Sequence, residues 1–218
     1  MSDFVHLHVH SHYSLLDGLP KIPELVAAAK KHGMTALGLT DHGALYGALE
    51  FYKHAKRAGI KPIIGVECYL APGDLQQKSP AAADYFHLTL LARNAEGYRN
   101  LLELVTIANL EGYYYRPRID KPTLLRLRGG LIGLSGCLRG DIPRAIAGKN
   151  LERARSLAQE YQNIFEPESF YLEVQRNAKD PDQNPEQEMV NQGLVKLGRE
   201  LNIPIVATND VHYLETGD

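Results

Sequence analysis

The chain has 218 residues, 44% of them hydrophobic, and a formal net charge of −2. These totals suit one packed domain and lack the strongly basic footprint of a free-standing nucleic-acid binder. No apolar run approaches the roughly 20 residues that cross a bilayer, no apolar stretch follows a basic N-terminus, and the two cysteines, Cys68 and Cys137, have no paired spacing. A cytoplasmic protein with no membrane partner, no secretory signal and no disulfide framework is therefore expected.

The chain opens on Phe4-Val5-His6-Leu7-His8-Val9-His10-Ser11-His12, followed by Asp17. Read as a strand over about residues 4–9, the alternation places His6, His8, His10 and His12 on one face, with Leu7 and Val9 on the other. A single core histidine is most often a hydrogen-bonded structural residue. Several adjacent imidazoles with an acid nearby are costly to pack without a cation, so the run predicts metal binding. The histidines are spaced within an apolar pattern, unlike an expression tag.

Ile22, Leu25, Val26 and Ala29 then recur at helical spacing up to Gly33, and 35–40 reads as a short strand ending in Asp41-His42-Gly43. A second helix should present Leu45, Leu49, Tyr52 and Ala55 on one face and close at Gly59. Residues 61–70 form a strand carrying Glu67, 71–84 a loop, and 87–92 a fourth strand beginning at His87. Asn94 caps a helix with Tyr98, Leu101, Leu102 and Val105, and residues 111–118 form an aromatic and basic loop. A strand over 131–135 ends in Gly136-Cys137, and Asn150 caps a helix with Leu151, Ala154, Ala158, Tyr161 and Phe165. A strand over 170–174, a polar loop over 177–185, a helix marked by Val190, Leu194, Leu197 and Leu201, and a strand over 203–208 ending in Asn209-Asp210-Val211-His212 complete the chain. Seven strands alternating with helices predict parallel βα units closing into a barrel, with chemistry at the carboxyl ends of the strands. His87, at the start of its strand, is the exception: its boundary or the direction of that strand must differ.

The candidate ligands are His8, His10, Asp17, His42, Glu67, His87, Cys137, Asp210 and His212. Nine groups are too many for one ion of about four ligands, which points to two or three metals sharing a carboxylate. Adjacent divalent ions activate water and hold phosphoryl oxygens, so phosphate-ester hydrolysis fits. Metal-assisted amide hydrolysis is the runner-up. Asp41 reads as a support or helix cap, Cys68 as core, His6 and His12 as outside the ligand set, and His32 and His54 as packing or solvated residues. Tyr113, Tyr114 and Tyr115 are either packing residues or, with Arg116 and Arg118, a base-stacking and phosphate-holding loop beside the site. Arg139 is a further phosphate-binding candidate.

His8-Val9-His10, Thr40-Asp41-His42-Gly43, Gly65-Val66-Glu67, His87, Ser135-Gly136-Cys137 and Thr208-Asn209-Asp210-Val211-His212 together resemble the motifs of the PHP (polymerase and histidinol phosphatase) domain. Ser14-Leu15-Leu16-Asp17-Gly18, Tyr114-Tyr115-Arg116-Pro117-Arg118-Ile119-Asp120 and Asn209-Asp210-Val211-His212-Tyr213-Leu214 resemble, more narrowly, the form of that domain at the N-terminus of bacterial DNA polymerase III alpha subunits. The resemblance implies a distorted (βα)7 barrel with a trinuclear centre. One metal would take His8, His10, Glu67 and Asp210; a second Glu67, His87 and Cys137; a third Asp17, His42 and His212. The cofactors implied are two or three divalent ions per chain, zinc, manganese or iron. Asp17 and Cys137 stand where stand-alone phosphatases of the family often carry histidine. The implied activity is 3′–5′ exonuclease action on a DNA 3′ end. Glu67, Asp210 and His10 are the catalytic candidates, and Tyr115, Arg116 and Arg139 the substrate-binding candidates. Residues 1–218 are expected to be a single such domain without polymerase domains, whose partners would be the remaining polymerase domains or replisome subunits. The alternatives are a small-molecule phosphatase or pyrophosphatase, and a non-catalytic, metal-stabilised scaffold.

Overall fold

The computed structural model describes residues 4–15, 17–80, 83–176, 183–215 and 217. The reading of 177–185 as loop falls largely outside them, at 177–182, as do Ala81 and Ala82 of the 71–84 loop. Helix α1 (Ile22–Lys31) buries the four apolar residues that predicted it, Ile22, Leu25, Val26 and Ala29. It packs with α2 (Ala48–Ala58) over β1 (Ala36–Leu39), forming a small core that includes Val9, Leu37, Leu39 and Phe51. Gly59 ends α2 in the left-handed region, as the sequence suggested. The buried face of α2 is Ala48, Phe51 and Ala55, whereas Leu49 and Tyr52 are exposed. Two interleaved apolar stripes exist on this helix, and only packing chooses between them.

The central ladder is β2 (Lys61–Leu70), which pairs in parallel with β1 and in antiparallel with β3 (Phe86–Ala92). Helix α3 (Ala95–Leu110) follows, capped by the Asn94 side chain on the Gly97 amide. It buries Leu101, Leu104 and Ile107, and leaves Tyr98 and Leu102 exposed. Residues 111–118, expected as loop, contain a short antiparallel hairpin, β4 (Tyr113–Tyr114) and β5 (Arg116–Ile119), that turns at Tyr115 with φ 58°. Its second strand adds in parallel to the end of β2. Two short helices escaped the periodicity reading, α4 (Lys121–Arg126) and α5 (Asp141–Ala147), because six or seven residues hold too few turns to show a period. Strand β6 (Leu131–Leu134), α6 (Leu151–Ile164), β7 (Phe170–Gln175), α7 (Pro185–Leu201) and β8 (Ile205–Thr208) complete the order, with β6, β7 and β8 parallel to one another.

Strand β3 runs antiparallel to both β2 and β6, so the expectation of seven parallel units is corrected at this position. The reversal also accounts for His87: the start of an antiparallel strand lies at the same rim as the ends of its parallel neighbours. The N-terminal run is a second correction. It is an extended segment with one isolated bridge, Val9 to Val211, not a regular strand over 4–9. It nevertheless closes the ring. The His10 amide donates to the Val211 carbonyl (2.8 Å) and the Val211 amide to that of His8 (3.1 Å), while the Gly38 and Thr40 amides donate to the His6 and Val9 carbonyls (2.7 and 2.8 Å). The result is a distorted (βα)7 barrel, with the larger core of Val66, Leu88, Leu90, Leu104, Leu157 and Leu172 among others between sheet and helices. No helix among the described residues is long and apolar enough to cross a membrane.

Candidate metal centre

One rim of the barrel gathers side chains from both ends of the chain. Glu67, late in β2 and 1% exposed, is the hub. Its Oε1 lies 2.7 Å from His87 Nδ1, 3.3 Å from His8 Nε2 and 3.8 Å from Cys137 Sγ. Its Oε2 lies 2.7 Å from His42 Nδ1 and 3.6 Å from His10 Nε2. Asp210 Oδ1 stands 3.2 Å from His8 Nε2, 3.3 Å from His10 Nε2 and 3.6 Å from His212 Nδ1. Asp17, with a half-exposed side chain, approaches the outer nitrogen of His42 at 3.1 Å. Three groups have one donor atom per residue mutually within 4.8 Å: His8, His10 and Asp210; His42, Glu67 and His87; and His10, His42 and His212.

The surroundings fix which nitrogens face inward. His8 Nδ1 is 2.7 Å from Glu173 Oε1, and a carboxylate only accepts, so Nδ1 carries the proton and Nε2 turns a lone pair to the centre. Ser14 Oγ donates to Asp41 Oδ1 (2.7 Å) and must therefore accept from His10 Nδ1 (2.9 Å), which leaves His10 Nε2 as the inward lone pair. His212 Nδ1 donates to the Asp210 carbonyl at 2.9 Å. Lone pairs of His8 and His10 thus face carboxylate oxygens at close range. Nε2 of both histidines, His42 Nδ1, Glu67 Oε2 and Asp210 Oδ1 are buried without a hydrogen-bond partner. Acceptors aimed at one another in a low-dielectric interior repel and cost several kcal/mol together. Cations between them remove that cost, so the donor set fits divalent metals of the borderline class that accept imidazole, carboxylate and thiolate.

The titration behaviour of the cation-free centre has the same origin. Burial alone would lower the His8 imidazole, yet Glu173, Asp210 and Glu67 hold it well above its ordinary value. Burial would raise Glu67, but His8 and His87 hold it well below the usual carboxylate range. Burial, reinforced by Glu67 and Asp210, pushes the Cys137 thiol up. The field stabilises any positive charge that enters, whether proton or metal.

Local backbone geometry serves the placement. Asp210 adopts φ 51° just after β8, in a region tolerated by Asp more than by most residues. Gly136 has φ 80°, and a Cβ there would lie 2.7 Å from the His87 carbonyl oxygen, so only glycine lets the Cys137 turn meet β3. Asp41, 1% exposed, accepts from the Ser11 amide (2.7 Å), the Ser11 hydroxyl and the Ser14 hydroxyl, and so braces the loop that carries His10.

All nine candidate ligands lie around this rim, but the even face of His6, His8, His10 and His12 does not form. His6 lines a cavity of about 240 Å³ with Val9, Leu25 and His32 on the far side of the segment. Cys68 is core, its thiol pushed up to about 12 by burial and Glu67. Arg118 cannot hold substrate: it is fully buried and donates to the carbonyls of Gly112 and Gln77 (both 3.1 Å). Tyr115 projects from the hairpin tip, 70% exposed, with its ring against Tyr114. Arg116 and Arg139 lie over the rings of Tyr69 and Tyr85 at 5.8 and 5.2 Å. Sequence reasoning missed Glu173, which also accepts from Thr208 Oγ1 (2.5 Å), Gln175 Nε2 (3.0 Å) and the Gly136 amide (3.1 Å). The available signal was a carboxylate inside the apolar run 170–174. It missed Tyr69 and Tyr85 as well, for which the sequence offers no signal.

The PHP domain family matches residues 6–177. The chain is 49% identical over 220 residues to DNA polymerase III subunit alpha of Borreliella burgdorferi, a match covering 100% of this chain and 19% of that protein. It spans about a fifth of the length of the curated relatives it matches. A structure from Bifidobacterium adolescentis, named as a metal-dependent phosphoesterase, superposes with TM-score 0.61 at 12% identity, over 98% of this chain and 89% of that one. An amidohydrolase from Chromobacterium violaceum, holding sulfate and no metal, superposes with TM-score 0.62 at 14% identity, over 95% and 87%. At those identities the likeness is one of fold.

Proposed function

The chain belongs to the PHP domain family, and on that footing we propose that it is a metal-dependent phosphoesterase domain acting as a 3′–5′ exonuclease on DNA ends. The carrying observation is the convergence of unpartnered acceptors from His8, His10, His42, Glu67 and Asp210 on one buried rim. Under this reading Glu67 would be shared between ions; the donor groups nevertheless cross the sets the family resemblance implies, with His42 beside Glu67 and His87, and His10 beside His42 and His212. Two or three divalent ions bound there would supply Lewis-acid activation of water and stabilisation of the leaving oxygen. Glu67 and Asp210 provide the negative charge that retains them, and His8 and His10 present neutral nitrogens because Glu173 and Ser14 hold their outer protons. Burial of the hub keeps bulk water from screening these charges. The similarity to DNA polymerase III alpha subunits supports a DNA end as substrate and the remaining polymerase domains or replisome subunits as partners. The net charge of −2 favours a second reading, a phosphatase or pyrophosphatase of small molecules.

The test is release of mononucleotides from single-stranded and mismatched 3′ ends by the metal-loaded chain, with metal content measured alongside. Asp210→Asn should abolish release. Equal degradation by wild type and variant would assign the activity to a contaminant. Turnover of pyrophosphate or phosphomonoesters without DNA would favour the second reading, and bound metal with no hydrolysis would favour the scaffold.

A further inference from the structure

We propose that Arg116 and Arg139, joined through Tyr85, form a clamp for a substrate phosphate neighbouring the one at the metal centre; the inference rests on the phosphoesterase reading and narrows its substrate to a polynucleotide strand. The two guanidiniums come from segments more than 20 residues apart, the β4–β5 hairpin and the turn after Cys137. Arg139 Nη2 donates to the Tyr85 hydroxyl at 3.4 Å, with its guanidinium over the same ring. Tyr85 is also the leading electrostatic partner of Arg116, whose guanidinium lies over Tyr69. The rings of Tyr69 and Tyr85 meet edge to face at 4.9 Å.

Both arginines are exposed, and among the described residues neither has an acidic partner. Two cations held on aromatic faces, with their charges uncompensated, are organised for an anion that arrives from solvent. The same rings reach the centre. Tyr85 stacks on His87 at 5.9 Å and Tyr69 on His42 at 5.8 Å. The clamp therefore flanks the candidate ligands, with the rings of Tyr69 and Tyr85 between its guanidiniums and His42 and His87. A strand with a second phosphate can occupy both places at once, whereas a ligand with one phosphate occupies one.

The experiment pairs two probes on the metal-loaded chain: anisotropy of a labelled single-stranded oligonucleotide, and hydrolysis of bis(p-nitrophenyl) phosphate, which has one phosphate only. Arg116→Gln and Arg139→Gln should each weaken oligonucleotide binding about tenfold. Each should lower the slope of log affinity against log salt by about 0.7, and the loss in oligonucleotide binding should exceed any loss with the small diester. Tyr85→Phe keeps the ring and should weaken binding too, with less than additive effect on top of Arg139→Gln, because the hydroxyl acts through the guanidiniums. Unchanged affinity and salt slope in the double arginine variant would overturn the clamp. A wild type that binds the oligonucleotide with the expected variant losses, but hydrolyses neither probe, would support the clamp and overturn the phosphoesterase reading alone.

Discussion

Glu173→Gln tests the logic of the centre without touching any proposed ligand. The carboxylate accepts from His8 Nδ1, Thr208 Oγ1 and Gln175 Nε2 at one oxygen and from the Gly136 amide at the other. Glutamine has one accepting oxygen and one NH2. Turned toward His8, the NH2 meets three donors and forces the imidazole to move its proton to Nε2, into the centre. Turned toward Gly136, it loses one charge-assisted bond, worth about 1–3 kcal/mol, and leaves His8 facing a neutral, weaker acceptor. The second arrangement costs less and should prevail. Loss of the anionic partner behind a ligating histidine lowers metal affinity about 10–100-fold, or about 1.4–2.7 kcal/mol. Competition with a chromophoric chelator measures that affinity for zinc, and thermal melting with and without EDTA measures stability. Equal melting losses in both conditions, with metal affinity at the wild-type value, would reduce Glu173 to a core hydrogen-bond acceptor and refute the reasoning.

Asp41→Ala leaves the Ser11 amide and the hydroxyls of Ser11 and Ser14 without their buried acceptor; a loss of about 3 kcal/mol or more in urea unfolding is expected. Gly136→Ala puts a side chain at φ 80° and against the His87 carbonyl, which should cost about 1–2 kcal/mol from the backbone alone and lower metal affinity by separating Cys137 from His87. In EDTA, the raised His8 contributes stability that is fully present below its unfolded value of about 6.5 and is lost as pH rises through the folded value. His8→Gln should therefore destabilise the chelated protein more at pH 6 than at pH 9. Metal loading reverses the trend, because protons compete for the same nitrogens: bound zinc should be released as pH falls. A chelated protein whose wild-type-to-variant difference grows with pH would contradict this assignment.

Much of this arrangement was legible in the order of residues. Ile22, Leu25, Val26 and Ala29 mark a helix because burial on one face repeats at the helical period, and β2 emerged with the bounds its composition suggested, Lys61–Leu70. The candidate ligands stood out because imidazoles, a glutamate within an apolar strand and a cysteine at a strand end form an unusual set, and His42, Cys137 and Asp210 each follow a short apolar run. The face of α2, the hairpin at 111–118 and the direction of β3 did not, because each depends on which neighbour a segment meets. An alternating pattern reads the same in either direction along the strand. Likewise nothing local distinguishes Arg118, sealed among carbonyls, from Arg116 two residues earlier at the exposed start of the same strand. Composition and spacing determined the donor groups this chain carries and most of the elements that bear them. Tertiary structure alone decided which nitrogens turn inward, that Glu173 stands behind His8, and which arginines face solvent, since proton position and charge compensation are set by partners distant in sequence.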